Sequence, residues 1–196
     1  MFRPLPLLLD TCLGPDAPAR AASRLRRDRR QRAETLTKTI IIGFGNTLRR
    51  DDGAGVAAAE RLARDRPGAN VLAVQELHPE LAEQVAACDI AVFLDASLRT
   101  STVCITRVSP GSSVHGAEGH ALSPAGVLAL CSGLYGHAPE EALLVEIPAF
   151  ECGFGETMSA GTLRMVDYCV QIISELLLGE TTPEILLHLT PSPAAD

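Results

Sequence analysis

The chain has 196 residues, of which 46% are apolar and 21% are charged, and its formal net charge is −7. This length predicts one globular domain with terminal extensions. The longest apolar runs have about five residues, as in 90–94, whereas a membrane helix needs roughly twenty, so a membrane-spanning protein is excluded. The apolar segment at 5–9 is too short for a signal peptide, and we expect a cytoplasmic protein.

The six cysteines lie far apart in the sequence, and none belongs to a CxxC pair. Zinc ribbons and redox pairs need two thiols close in sequence, so both kinds of site are excluded. Most of the thiols lie among apolar residues and are predicted to be small buried side chains.

Charge is distributed unevenly along the chain. Residues 1–38 contain nine Lys or Arg and four Asp or Glu, a net charge of +5, which leaves −12 on residues 39–196. The basic run at 20–32 has little apolar periodicity. An arm of this charge can contact nucleic acid or an acidic protein, but the favoured interpretation is a flexible, solvated extension at 1–38 without a nucleic-acid partner.

The first half of the domain alternates between strand and helix patterns. The β-branched apolar run at 39–44 contains glycine near its end and is typical of a buried parallel strand. The elements predicted after it are a helix that starts at Asp51 and Asp52 and ends before Pro67, a strand at 71–74, a helix that Pro79 opens, and a third strand at 90–94 that ends at Asp95.

The second half continues this alternation and contains two long loops. In order, it has a strand at 102–108, a loop at 110–120 rich in Gly and Ser, a helix that begins at Ser123 and Pro124, a strand at 143–147, a glycine-rich loop at 148–158, and a last helix from Ser159. The residues of that helix predicted to face the core are Leu163, Val166, Val170, Ile173 and Leu177. The pattern weakens after Gly179, so we predict a folded domain at 39–178 and a tail at 179–196.

Alternating strands and helices predict an α/β fold, a three-layer αβα sandwich around a mostly parallel sheet of roughly five strands. Ligands of such sheets bind outside the carboxyl ends of the strands. We therefore expect the residues after the first, third and fourth strands to lie together, namely 46–52, Asp95, and the loop that carries His115 and His120.

Several common motifs are absent from the sequence. The glycines after the first strand lack the third glycine of a dinucleotide fingerprint, because Leu48 occupies its position. Neither the GxSxG elbow of a serine hydrolase nor the HExxH helix of a zinc protease occurs. What remains at the predicted edge is a pair of aspartates, Asp52 and Asp95, and a histidine.

Carboxylate oxygen and imidazole nitrogen suit borderline divalent metals such as nickel, zinc or cobalt, and three protein ligands leave positions open for water or substrate. Each residue also has an ordinary structural role to offer: Asp52 as a helix cap, Asp95 as a turn residue, and His120 as a loop histidine. The residues alone leave these interpretations open, and their predicted meeting at one edge favours the metal site.

The segment at 43–55, GFGNTLRRDDGAG, resembles the GxGNxLxxDDGxG signature of the hydrogenase maturation proteases. These are the endopeptidases that complete the large subunit of nickel–iron hydrogenases. Shorter matches follow at 94–96, at 119–123 and at 153–155, so that the resemblance extends over about 40–177.

The resemblance implies that Asp52, Asp95 and His120 bind nickel that the substrate supplies. Asp52 occupies the second acidic position of the motif, where some members have glutamate. His120 is chosen over His115 because the Ala-Leu-Ser after it is similar to the family's histidine loop. Asp51 is either a helper in catalysis or an ordinary acid in the first turn of a helix.

The implied function is removal of the C-terminal extension from the hydrogenase large-subunit precursor once nickel has been inserted. The partner is then that precursor, and we expect no nucleic acid, no membrane and a monomeric enzyme. The loop around Phe154 either contacts the precursor or serves backbone packing. Two alternatives keep the metal: a self-contained metal-dependent hydrolase of another substrate, and a nickel-sensing maturation chaperone that does not cut.

Overall fold

A computed structural model describes residues 38–111 and 122–189 of the chain. The elements within these ranges are β1 (Thr39–Phe44), a 3₁₀ turn (Arg50–Gly53), α1 (Ala54–Asp65), β2 (Asn70–Val74), α2 (Leu81–Ala86), β3 (Ile90–Ser97), β4 (Cys104–Arg107), α3 (Pro124–Tyr135), β5 (Glu141–Pro148), α4 (Ala160–Leu177) and α5 (Pro183–Leu189). Of the predicted extension at 1–38, only Lys38 lies within the described residues. None of these helices has the length and apolar composition that a membrane crossing requires.

The described strands form one sheet in the order β2-β1-β3-β5-β4. β1 pairs in parallel with β2 and with β3, and β3 pairs in parallel with β5. β4 is antiparallel to β5, with Cys104 opposite Glu146 and Arg107 opposite Leu143. The predicted mostly parallel, five-stranded sheet is confirmed.

The direction of β4 corrects one premise of the predicted site. The sequence predicts that the loop after the fourth strand lies at the same edge as the loops after the first and third strands. Because β4 runs against its neighbour, that loop starts at the opposite edge, where Val108 donates a backbone hydrogen bond to Ala142 at 2.8 Å. By Gly111 the chain has reached the first turn of α3, since its N–H donates to the carbonyl of Ala125 at 3.3 Å.

Helices cover both faces of the sheet, which confirms the three-layer αβα sandwich. α1, α4 and α5 pack against the face on which Ile41 and Val92 project. α2 and α3 pack against the other face, on which Ile42 and Phe93 project. Successive residues of each central strand therefore alternate between two apolar cores, as the pleat of a strand requires.

Two predictions for the C-terminal part are corrected. The predicted tail at 179–196 contains α5, and Leu186 on this helix is only 1% exposed. A helix of 7 residues repeats its apolar face too few times to give a clear sequence pattern.

Leu163 on α4, predicted to face the core, is 44% exposed. The neighbouring Thr162 is fully buried instead, and one residue corresponds to about 100° of rotation around a helix.

Glycines of the segment at 43–55 permit the first turn of α1 to contact the sheet backbone directly. A Cβ on Gly55 would lie 2.2 Å from the carbonyl oxygen of Leu94 and 2.5 Å from that of Phe44. A Cβ on Gly43 would lie 2.0 Å from the carbonyl oxygen of Gly55. No side chain fits at these distances, so the contact requires glycine. The contact holds the 3₁₀ turn beside the carboxyl ends of β1 and β3.

Gly55→Ala is expected to lower the free energy of unfolding by at least about 2–3 kcal/mol, because the added methyl group must displace the backbone of β1 or β3. Urea denaturation followed by circular dichroism measures the change. Gly133→Ala in α3 is the matched control, because a Cβ there meets nothing within 4 Å. We expect it to leave the stability unchanged or to raise it by up to about 1 kcal/mol. Equal stabilities of the two variants would contradict the requirement for glycine.

Candidate functional site

A cleft of about 490 Å³ opens at the carboxyl edge of β1 and β3. Its walls come from the loops after β1 and β2, from the end of β3 and from the start of α3. The lining residues are Phe44, Gly45, Asn46, Arg49, Asp52, Gln75, Glu76, Leu77, Asp95, Ala96, Arg99, Leu122, Ser123 and Pro124. A second cleft of about 640 Å³ lies at the opposite edge, around Lys38, Arg66 and Leu177, and contains none of the predicted site residues.

Asp52 reaches the cleft from the 3₁₀ turn. Its Oδ2 accepts a hydrogen bond from the backbone N–H of Asn46 at 3.2 Å, and Oδ1 of Asn46 accepts one from the N–H of Leu48 at 3.0 Å. Gly45, at a φ of 136° that favours glycine, donates its N–H to the carbonyl of Gln75 at 3.2 Å. These bonds fix the loop after β1, and with it the position of the Asp52 carboxylate.

Asp95 lines the same cleft, so the structure brings the two predicted aspartates together. It lies inside β3, whereas the sequence predicts that the strand ends there. The pKa of Asp95 is raised to about 7, mainly by burial. The negative charges of Asp52 and Glu146 also raise this pKa, whereas a hydrogen bond from the backbone of Ala96 and the positive charge of Arg99 lower it. The cleft thus holds carboxylates that repel one another, and a cation bound between them would relieve the repulsion.

A polar group that the sequence does not predict lies beside Asp95. Glu146 is the register partner of Asp95 across β3 and β5 and is 9% exposed. Its Oε1 accepts hydrogen bonds from Oγ of Ser97 at 3.0 Å and from Nη2 of Arg99 at 3.3 Å. The buried carboxylate thereby tethers Arg99, which lines the cleft and whose side chain is 88% exposed. The only signal in the sequence is a glutamate within an apolar strand, and its neighbours depend on a register that no local pattern specifies.

Asp51 does not line the cleft and is fully buried. Its Oδ1 accepts a hydrogen bond from the N–H of Ser159 at 2.6 Å, and its Oδ2 accepts from the N–H groups of Phe150 and Glu151, both at 2.9 Å. The hydroxyls of Ser159 and Thr162 also donate to Oδ2, both at 2.8 Å. Burial by itself would raise the pKa of Asp51, but the hydrogen bonds outweigh it and lower the pKa to about 2. Asp51 therefore joins the 3₁₀ turn to the loop before α4 and is not a catalytic helper.

That loop also carries Phe154, which is 94% exposed. The loop backbone is fixed, because the N–H of Gly155 donates to the carbonyl of Leu48 at 2.9 Å and its oxygen accepts from the N–H of Arg50 at 2.8 Å. Arg50 also forms an ion pair with Glu151. Of the two interpretations of this loop, backbone packing accounts for its hydrogen bonds but not for the exposed ring.

The predicted ligand His120 and the rejected candidate His115 lie in the segment 112–121, outside the described residues. The role of His120 as a ligand therefore stays a prediction. Within 38–111 and 122–189, no group of three or more His, Cys, Asp or Glu has the arrangement of a metal site. Asp52 and Asp95 are thus two of the three predicted ligands, and the third, His120, belongs to that segment.

The residue after this segment lies at the cleft. Leu122 and Ser123 line it together with Asp95. Oγ of Ser123 accepts a hydrogen bond from the N–H of Gly126 at 3.0 Å, which caps α3 as the sequence predicts. The loop that starts at the opposite edge of the sheet therefore ends at the candidate site.

Solved structures with the same fold include several hydrogenase maturation proteases. The NiFe hydrogenase maturation protease HycI from Thermococcus kodakarensis KOD1 matches with a TM-score of 0.56 and 22% identity, over 75% of this chain and 97% of that one. The hydrogenase maturating endopeptidase HybD from E. coli matches with a TM-score of 0.54 and 21% identity, over 71% and 91% of the two chains. The NiFe hydrogenase maturation protease HybD from Thermococcus kodakarensis matches with a TM-score of 0.51 and 25% identity, over 71% and 99%. No protein-family model and no curated protein matches the sequence.

These structural relatives belong to the family that the segment at 43–55 resembles. The fold that the resemblance implies is confirmed.

Asp51→Asn is expected to lower the free energy of unfolding at neutral pH by about 2–4 kcal/mol, because an amide NH₂ group cannot accept the hydrogen bonds that the carboxylate accepts. The native pKa of about 2 lies below the unfolded value. The contribution of the ionised Asp51 carboxylate to the free energy of unfolding is therefore complete above about pH 4 and is lost as the pH falls toward the native pKa. Urea denaturation of the parent and of Asp51→Asn, from neutral pH into acid, measures the difference between their free energies of unfolding. This difference should become smaller as the pH falls. Glu60→Gln, at an exposed carboxylate of α1, should change the stability by less than about 0.5 kcal/mol. A pH-independent effect of Asp51→Asn would contradict the lowered pKa.

Asp95→Asn is expected to raise the free energy of unfolding of the metal-free protein by on the order of 1–3 kcal/mol at pH values above 7. The native pKa of Asp95, about 7, lies above the unfolded value. The native state therefore holds a proton that the unfolded state has lost, and the stability of the parent falls as the pH rises from about 4 through 7. Asparagine does not titrate and keeps an oxygen for the N–H of Ala96, which donates to Asp95 at 2.8 Å. Thermal melts of the parent and of Asp95→Asn at the two ends of this pH range test the prediction. A stability difference between the two proteins that is the same at both ends would contradict it.

Proposed function

We propose that this chain, which has the fold of the hydrogenase maturation proteases, removes the C-terminal extension of a nickel–iron hydrogenase large-subunit precursor after nickel has been inserted. The observation that carries the proposal is the presence of Asp52 and Asp95 in one cleft at the carboxyl edge of the sheet. The structural relatives are named as proteases of hydrogenase maturation. The signature at 43–55 supports the assignment, because its glycines account for the position of the turn that carries Asp52.

Nickel enters this site as part of the substrate. Asp52 and Asp95 supply carboxylate oxygens, and His120 supplies an imidazole nitrogen, a donor set that suits a borderline divalent ion. Three protein ligands leave coordination positions open for donors of the precursor. Sharing the ion lets the enzyme bind a nickel-loaded precursor preferentially while the precursor keeps its metal.

Covalent geometry supports His120 over His115 as the third ligand. His120 precedes the cleft residue Leu122 by two positions. Successive Cα atoms are 3.8 Å apart, so the Cα of His120 is limited to within about 7.6 Å of that of Leu122. His115 follows Gly111, which reaches the first turn of α3, by four positions, so its Cα is limited only to within about 15 Å of that of Gly111.

Hydrolysis of a peptide bond requires activation of water and stabilisation of the negative charge that develops on the carbonyl oxygen. Two routes fit the cleft: a nickel ion held by Asp52, Asp95 and His120 would polarise the carbonyl, or one of the aspartates would accept a proton from the attacking water. In both routes Arg49 and Arg99, which line the cleft, are available to stabilise the developing charge.

Asp52→Ala and His120→Ala are each expected to reduce processing of the nickel-loaded precursor by at least about 10²-fold, because each removes one ligand of the shared ion. Intact-mass analysis of the incubated precursor measures loss of the C-terminal peptide. Thermal melts should show folded variants, since polar residues at the sheet edge contribute little to the cores. His115→Ala is the matched control and should process at the parent rate. Parent-level processing by His120→Ala would contradict its role as a ligand.

The product of the same incubation separates the alternatives. A complex with the precursor but no loss of peptide would indicate a nickel-sensing chaperone. Hydrolysis of an unrelated peptide that requires only added metal would indicate a self-contained hydrolase. Equal processing of the metal-free and nickel-loaded precursors would contradict recognition of the substrate's nickel.

A further inference from the structure

Two large apolar side chains are exposed on paired segments beside the cleft. Phe154 is 94% exposed and Leu48 is 58% exposed. Their backbones are joined, because the N–H of Gly155 donates to the carbonyl of Leu48 at 2.9 Å. We refer to Leu48 and Phe154 as the apolar rim. A single exposed apolar residue needs no explanation, but two on neighbouring segments at the edge of a cleft indicate a contact surface.

The loop that presents Phe154 is held rigidly. The buried carboxylate of Asp51 accepts hydrogen bonds from Phe150, Glu151 and Ser159 on either side of it. Gly155 is fixed to the neighbouring segment by backbone bonds in both directions, through Leu48 and Arg50. An aromatic ring on such a loop loses little conformational entropy when a partner covers it, so most of the gain from its burial remains as affinity.

Arg49 joins the apolar rim to the cleft. Its backbone forms an isolated parallel bridge with Gly155, and it lines the cleft together with Asp52. Leu48 is its immediate neighbour in the chain. The apolar rim therefore adjoins a residue that lines the cleft, within reach of a protein whose peptide occupies the cleft.

We propose that the apolar rim docks on an apolar surface of the hydrogenase precursor, next to the C-terminal segment that enters the cleft. This inference rests on the proposed function and names a second point of contact with the same partner. The cleft selects for nickel, whereas the rim contributes affinity that does not depend on the metal.

Two other occupants of the rim are the basic segment at 20–32 and a second copy of this chain. Charge disfavours the first of them, and area disfavours the second. Arg50 and Glu151 beside the rim form an ion pair, so their charges cancel. The seven arginines at 20–32 favour an acidic surface, which this pair does not provide. Two side chains of this size offer on the order of 300 Å². A stable dimer of this chain would bury roughly 800 Å² on each protomer. The rim alone is too small for such an interface, and it fits one part of a larger contact with the precursor.

The test measures binding and processing of the nickel-loaded precursor by Phe154→Ser. We expect KM and Kd to rise by about tenfold or more and kcat to stay within about twofold, because the rim lies outside the reacting atoms. Phe154→Leu should recover most of the affinity. Leu134→Ser is the matched control, since Leu134 is 67% exposed but lies about 15 Å along α3 from the cleft residue Pro124, and it should behave as the parent.

The outcomes separate the rim from the proposed function. Processing by the parent with an unchanged KM in Phe154→Ser would overturn the rim while the proposed function stands. A parent that binds without cleaving, and a variant that binds at least about tenfold more weakly, would support the rim and overturn the protease. A parent that neither binds nor cleaves overturns both. Loss of self-association in Phe154→Ser at unchanged KM would assign the rim to a second copy of the chain and overturn the inference.

Discussion

The site depends on the direct contact between the first turn of α1 and the backbones of β1 and β3. Gly55 lies against the carbonyl oxygens of Phe44 and Leu94, and no other residue permits that approach. The contact fixes the 3₁₀ turn before α1 at the carboxyl edge of both strands. Asp52 on the turn and Asp95 on β3 consequently line one cleft, although they come from distant parts of the chain.

Two consecutive aspartates on this turn have different roles. Asp51 is buried and accepts hydrogen bonds from the loop before α4, whereas Asp52 lines the cleft. Successive residues of a 3₁₀ turn point about 120° apart, so one short element serves the interior and the site at once. The loop that Asp51 holds carries Phe154, and the same carboxylate therefore supports both the fold and the surface proposed to meet the precursor.

Buried parallel strands are continuous apolar runs, which is why β1 and β3 were predictable, and the edge rule for parallel sheets then predicted that Asp52 and Asp95 lie together. The direction of β4 was not predictable, because a strand of 4 residues carries no pattern that depends on its neighbour. The hydrogen bonds of Asp51 with Ser159 and Thr162, and the pairing of Glu146 with Arg99, join segments far apart in sequence. Such pairs depend on register and helix rotation, which tertiary packing decides.

The proposed recognition of a nickel-loaded precursor requires that one ion bind Asp52, Asp95 and His120 together while the precursor completes its coordination. A crystal structure of the protein grown with nickel tests this arrangement most directly. We expect a carboxylate oxygen of Asp52, a carboxylate oxygen of Asp95 and an imidazole nitrogen of His120 within about 2.0–2.3 Å of a single ion. An ion bound elsewhere, or an imidazole of His120 directed away from both carboxylates, would contradict it.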